Sequence, residues 1–128
     1  MRVLLDTHIL LWWQRDKLLL GNRARSIIAS PEVDVLVSMA SLWEIAIKFR
    51  LGKLDVSSSD ALRHAADEGF SILGVEAEHI AQVELLPQIA GHRDPFDHLL
   101  LAQAKVEKAA LMTADRILTG YGVRCLPA

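Results

Sequence analysis

The chain has 128 residues, 52% of them apolar and 23% charged, which excludes a disordered tail and leaves enough apolar mass for one real core. With 14 Lys plus Arg against 16 Asp plus Glu the net charge is −2, so bulk positive charge is not how the chain would attract a nucleic acid. A single cysteine, Cys125, permits neither an internal disulfide nor a thiolate metal cluster.

From the N-terminus, residues 2–5 (Arg-Val-Leu-Leu) form a short apolar run that suits a strand buried in a parallel sheet, and Asp6 ends it. Asp6, Thr7 and His8 interrupt an apolar stretch too short to span a bilayer, and no small-residue cleavage pattern follows; a soluble, cytoplasmic protein is expected. Residues 9–13 look helical. A small helix over residues 22–30 stops at Pro31, and residues 33–38 form a second strand. Ser41 to Glu44 opens a helix that runs to about Leu51 and ends at Gly52. Ser57, Ser58 and Ser59 are candidate caps for a helix through Glu68. Residues 70–73 make a short strand, residues 76–86 a helix ended by Pro87, and residues 88–93 a loop. Asp94-Pro95-Phe96-Asp97 starts a helix to Lys108; residues 110–113 and 123–126 are the last strands. Strands alternating with helices predict one α/β domain over residues 1–128, a parallel sheet flanked by α-helices in three layers.

Open parallel sheets carry their sites beyond the carboxyl ends of the strands. Asp6, Glu44, Asp97 and Asp115 are all expected at that edge. Carboxylates gathered there repel one another unless a hard divalent cation, Mg²⁺ or Mn²⁺, binds them; such a centre activates water and clamps phosphate oxygens. Each acid also has a structural alternative. Ser41 and Glu44 fit a capping box, Asp94 and Asp97 suit a helix start, and Asp115 suits a turn. Asp6, placed right after Val3-Leu4-Leu5, is the hardest to explain without a partner. Of the five histidines, His8 and His98 could lie near the acids, but a surface or packing role is the favoured reading for them. Trp12, Trp13 and Trp43 are expected in the core or at an interface, one of the adjacent pair facing a partner chain.

Four segments carry a likeness to a known family: Leu4-Leu5-Asp6-Thr7-His8, Ser41-Leu42-Trp43-Glu44-Ile45-Ala46-Ile47-Lys48, His92-Arg93-Asp94-Pro95-Phe96-Asp97-His98-Leu99-Leu100, and Leu111-Met112-Thr113-Ala114-Asp115. In order and spacing, across nearly the whole chain, the sequence resembles the PIN-domain nucleases, in particular the VapC-like toxins of bacterial toxin–antitoxin pairs. The resemblance implies an acidic pocket holding Mg²⁺ or Mn²⁺ and cleavage of single-stranded RNA. It assigns the acidic positions to Asp6, Glu44, Asp97 and Asp115 as metal ligands and catalytic residues. Thr7 and Thr113 match small hydroxyl positions beside them, and Asp94 is an additional acid. His98 stands where Arg is more frequent in this motif, leaving Arg93 and Arg116 to contact substrate phosphate. A homodimer and a small antitoxin lying across the pocket are also implied. Two other functions stay open at this point: a non-catalytic module of the same fold that binds RNA or protein, and a metal-dependent phosphatase using Asp6 as nucleophile, against which stands His8 where a second Asp is usual.

Overall fold

The computed structural model describes residues 1–128. Five short strands, β1 (Arg2–Leu5), β2 (Asp34–Ser38), β3 (Ser71–Leu73), β4 (Ala110–Thr113) and β5 (Cys125–Pro127), pair in the order β3-β2-β1-β4-β5, all parallel. The register sets Val3 opposite Val35 and Ala110, and Leu4 opposite Leu36 and Leu111. Because successive side chains point to opposite faces, one residue's difference decides which core a side chain joins. Val3, Leu5, Val35, Val37 and Met112 enter one core; Leu4, Leu36 and Leu111 enter the other.

The first face is covered by α1 (Thr7–Arg15), α2 (Asn22–Ala29), α3 (Met39–Arg50) and α4 (Ser58–Asp67), through residues such as Ile9, Ile28, Ile45 and Ala65. The second is covered by α6 (Pro95–Glu107), which sends in Leu100, Leu101 and Ala104, and by a 3-10 turn (Arg116–Tyr121) that adds Leu118 and Tyr121. The short α5 (Ala77–Val83) packs along α6. The expected three-layer α/β domain is thus present.

Several element ends differ from the sequence expectation. The third helix starts at Met39, straight after β2, and not at Ser41. Its cap is Ser38, whose hydroxyl accepts from the Ala40 N–H at 3.0 Å, so Ser41 and Glu44 lie inside the helix and form no capping box. Likewise α5 ends at Val83, and Glu84 to Leu86 continue as turns. The helix over residues 95–107 follows its signals closely. Asp94 accepts from the N–H groups of Phe96 (2.9 Å) and Asp97 (3.4 Å), Pro95 fills the first position, and Lys108 ends it in the left-handed region at φ 54°. No helix is long and apolar enough to cross a membrane.

One buried polar chain threads the second layer. Ser38 Oγ donates to Gln103 Oε1 (2.5 Å). The Gln103 amide donates to Gly74 O (3.1 Å) and to His79 Nδ1 (3.4 Å). His79, 0% exposed, also accepts at Nδ1 from the Glu76 N–H (3.0 Å), so its hydrogen sits on Nε2 and is donated to Glu107 at 2.9 Å. That hydrogen bond, with a further one from Arg2, holds the Glu107 carboxyl below its ordinary range.

Candidate active site

β1 lies at the centre of the sheet. The chain builds outward from it to β2 and β3 on one side, then crosses to β4 and β5 on the other. The carboxyl ends of β1 and β4 therefore flank the point where the strand order reverses, which is where open α/β sheets leave a crevice. Asp6 follows β1 there, and its N–H extends the ladder to Met112 O at 3.0 Å.

The Asp6 carboxylate is 7% exposed and held from two sides. Its Oδ1 accepts from the Thr7 N–H (2.7 Å), and Oδ2 accepts from the Thr113 hydroxyl (2.7 Å) at the end of β4. Thr113 Oγ1 in turn accepts from the Asp115 N–H (3.0 Å), tying the two strand ends together. Burial raises the Asp6 carboxyl above its ordinary value. The bonds from Thr113 and Thr7 and the nearby His8 pull it back, and the Glu44 charge pushes it further up. Glu44, one turn and a half into α3, is 9% exposed and pairs with Lys48 at 3.0 Å.

Asp97, in the first turn of α6, is pushed up to about 6. Burial is the main cause, the His92 hydrogen bond opposes it, and the charges of Asp94 and Asp6 add to it. Asp97 thus feels the charges of Asp94 and Asp6, and Asp6 that of Glu44. Ligand atoms of His92, Asp97 and Asp115 lie within 4.8 Å of one another.

Asp115 accepts from the Ile117 N–H (3.1 Å), so it caps the 3-10 turn while facing Asp97. Asp94 acts as the cap of α6; it meets Asp97 at the backbone N–H, and its charge acts on the Asp97 carboxyl. Thr113 is directly on Asp6, whereas the Thr7 hydroxyl turns away to donate to Ser41 Oγ at 2.9 Å. Arg93 and Arg116 are exposed on either flank and carry no salt bridge.

The residue that sequence reasoning missed is His92. With Asp97 ionised, His92 Nε2–H donates to Asp97 Oδ2 (3.1 Å) and Nδ1 accepts from the Tyr121 hydroxyl (2.5 Å), which His98 Nε2 also meets at 3.3 Å. The chain His98–Tyr121–His92 thereby fixes the direction of the Asp97 carboxylate, as the outer partners of metal ligands do. The one available signal was the position of His92 two residues before Asp94.

The donor set fits a hard divalent cation. Buried and half-buried carboxylates of like charge converge, two of them with raised proton affinity, and a cation is what relieves such a cluster. A proton competes for the same oxygens. The folded protein binds a proton at Asp97 more tightly than the unfolded chain does, so ionising Asp97 costs stability as pH rises from about 4 through about 6. Metal-free wild type should therefore lose melting temperature across that window, and Asp97→Asn should lose much less. Melting curves in metal-free buffers across that range check this; parallel curves for the two proteins contradict it.

Comparison with known proteins places the chain. Among curated proteins none matches the sequence. Solved structures do match. VapBC2 from Rickettsia felis, bound to a DNA fragment from its promoter, is similar at TM-score 0.76 and 15% identity, covering 99% of this chain and 98% of that one. VapBC-1 from nontypeable Haemophilus influenzae matches at TM-score 0.70 and 15% identity, with 99% and 98% covered. The PIN domain endonuclease Utp24 matches at 0.57 and 19%, with 99% and 84% covered. These likenesses show the fold. The family model for the PIN domain matches residues 3–122, and that span contains Asp6, Glu44, Asp97 and Asp115. The chain belongs to the PIN domain family, whose members are generally nucleases.

Proposed function

We propose that the chain is a divalent-metal-dependent endoribonuclease and the toxin of a toxin–antitoxin pair. The observation that carries this is the pair Asp6 and Asp97: two carboxylates of raised proton affinity, each oriented by hydrogen bonds, at the switch point of the sheet. Asp6 and Asp97 would hold Mg²⁺ or Mn²⁺ with Glu44 and Asp115 completing the set. When bound, the cation acidifies water and offsets the charge that develops on the phosphate. Thr113 and the Thr7 N–H keep both Asp6 oxygens in place, and His92 does the same for Asp97. Arg93 and Arg116 are free to meet backbone phosphates on either side. In a chain of net charge −2, local attraction for RNA then comes from the cation and these two arginines. Phosphoaspartate chemistry has no support: His8, two residues after Asp6, supplies no second carboxylate.

The test is incubation of purified protein with a long single-stranded RNA. Internal cuts are expected in Mn²⁺ and none in EDTA. Intact RNA in Mn²⁺ would mean a binding module.

Partners follow from the surface. Met39, Trp43 and Ile47 on α3, with Leu51 just past its end, recur every four residues and are all exposed, Trp43 at 61%. Such a stripe marks a contact with another chain, for which a second copy and an antitoxin are the proposed occupants. Trp43 meets Phe96 edge-on at 5.0 Å, so a segment covering the stripe ends beside Asp97. Light scattering at high micromolar concentration should return a dimer for wild type and a monomer for Trp43→Lys. Monomeric wild type with no co-purifying partner would contradict the assignment of this face.

A further inference from the structure

Beside the acidic centre, and sharing His92 with it, is a cavity of about 590 Å³. It lies between the segment over residues 83–93 and the 3-10 turn, within the size range of small-ligand pockets. We propose that this cavity seats one nucleobase of the RNA, next to the bond that is cut. The proposal rests on the nuclease reading above and adds to it a recognition subsite.

The lining has the chemistry of a flat heteroaromatic ring with polar edges. Leu86 and Ile89 give it apolar wall, His98 and Tyr121 give it aromatic wall, and Glu84 and Gln88 bring hydrogen-bonding groups. Unpaired bases are recognised by that combination of stacking and edge hydrogen bonds. Its position suits a base attached to the reacting strand. His92 lines the cavity and bonds Asp97 at 3.1 Å, so one imidazole ring separates cavity from acid. Arg93 also lines the cavity and has no carboxylate partner, leaving its guanidinium for the phosphate of the same nucleotide.

The cavity is built into the fold. Gly91 turns the chain at φ 81°, and the His92 N–H then closes onto Ile89 O at 3.2 Å. A Cβ on Gly120 would stand 3.0 Å from Ile89 Cδ1, so any larger residue there would push the Ile89 tip aside by a few tenths of an ångström. The aromatic wall is equally fixed. His92 and His98 meet edge-on at 4.9 Å and 88°, and the Tyr121 hydroxyl bonds both. A preformed wall of this kind loses little entropy when a base docks.

The test uses wild-type protein in Mn²⁺ and a short RNA with one cut site, in which each position in turn is made abasic. One position beside the cut bond should lose kcat/KM by roughly 5- to 150-fold, the effect of losing one stacked base, and the others by much less. Gln88→Trp, filling the cavity from its rim, should bring the intact RNA down to the abasic level and make that abasic change without further effect. Ala90→Trp serves as a second filling variant. Both should keep the wild-type melting shift in Mn²⁺, which reads the acids and not the cavity. A flat abasic scan, or filled variants that keep the full abasic effect, overturns the pocket and leaves the nuclease intact. A filled variant that changes oligomeric state but not the abasic effect identifies a protein contact, which also overturns it. Failure of wild type to cut any RNA overturns the nuclease reading, and the pocket with it.

Discussion

Asp6→Asn is expected to reduce RNA cleavage by at least about a hundredfold while the fold survives. The amide nearly matches the carboxylate in shape. Its oxygen can still accept from the Thr7 N–H, but it loses the charge that a hard cation requires. The Thr113 hydroxyl, which donates to Oδ2 at 2.7 Å, would face an NH₂ group and must turn to present its lone pair instead. That adjustment is local, because Val3, Leu4 and Leu5 keep β1 in register with β4. Asp97→Asn should lose activity to a similar degree, since Asp97 is the second carboxylate in direct charge contact with Asp6. Cleavage rates on a long single-stranded RNA, with circular dichroism to confirm folding, make the measurement. A wild-type rate from Asp6→Asn would remove the metal centre from the account.

A melting experiment gives the second large effect. A cation that binds the folded protein alone, present at about 100 times its dissociation constant, stabilises by roughly 2.7 kcal/mol. For a domain of this length that raises the melting temperature by on the order of 10 °C. Wild type in millimolar Mn²⁺ should show this rise over wild type in EDTA at matched ionic strength. Asp6→Asn should show a much smaller one. Its metal-free form should melt no lower than wild type, because burial and the Glu44 charge already disfavour the ionised Asp6 carboxyl. If the acids served only as helix caps, Mn²⁺ would do no more than matched NaCl, and removing a cap such as Asp94 would cost about 1 kcal/mol. Equal shifts for the two proteins would rule out a shared pocket.

The positions of Asp6, Asp97 and Asp115 were legible because each stands at an element end that local signals mark. Asp6 closes an apolar run, Asp115 follows another, and Asp94-Pro95 starts a helix whose first turn contains Asp97. Hydrophobic runs and caps are local, and so are these placements. The role of Glu44 was harder, because Ser41-x-x-Glu44 imitates a capping box; the turn between β2 and α3 is absent, and Ser38 had already taken the cap. His92 was hard to recognise from its neighbours, since its bond to Asp97 is local but the ring is set by Tyr121, 29 residues away. Trp43 was expected in the core or at an interface, and it is outside the core. Its neighbours along the sequence give no indication of which face of α3 the sheet leaves uncovered. The cavity beside His92 is lined by the segment that follows α5, which stops at Val83 instead of continuing toward Pro87, an end that no capping residue announces.

The polar chain through Ser38, Gln103, His79 and Glu107 bears on how α6 can move. A slip of that helix by a single residue would turn it by about 100° and carry Gln103 from its three partners into apolar surroundings. Gln103 therefore works as a detent: α6 has one allowed setting along its axis and no neighbouring one. Asp97 is on the same rigid rod, so the depth to which its carboxylate projects is indexed from more than one turn away, at the carboxyl ends of β2 and β3. Changes at Gln103 or His79 should then show up as a mis-set blade in a tool that is otherwise sound.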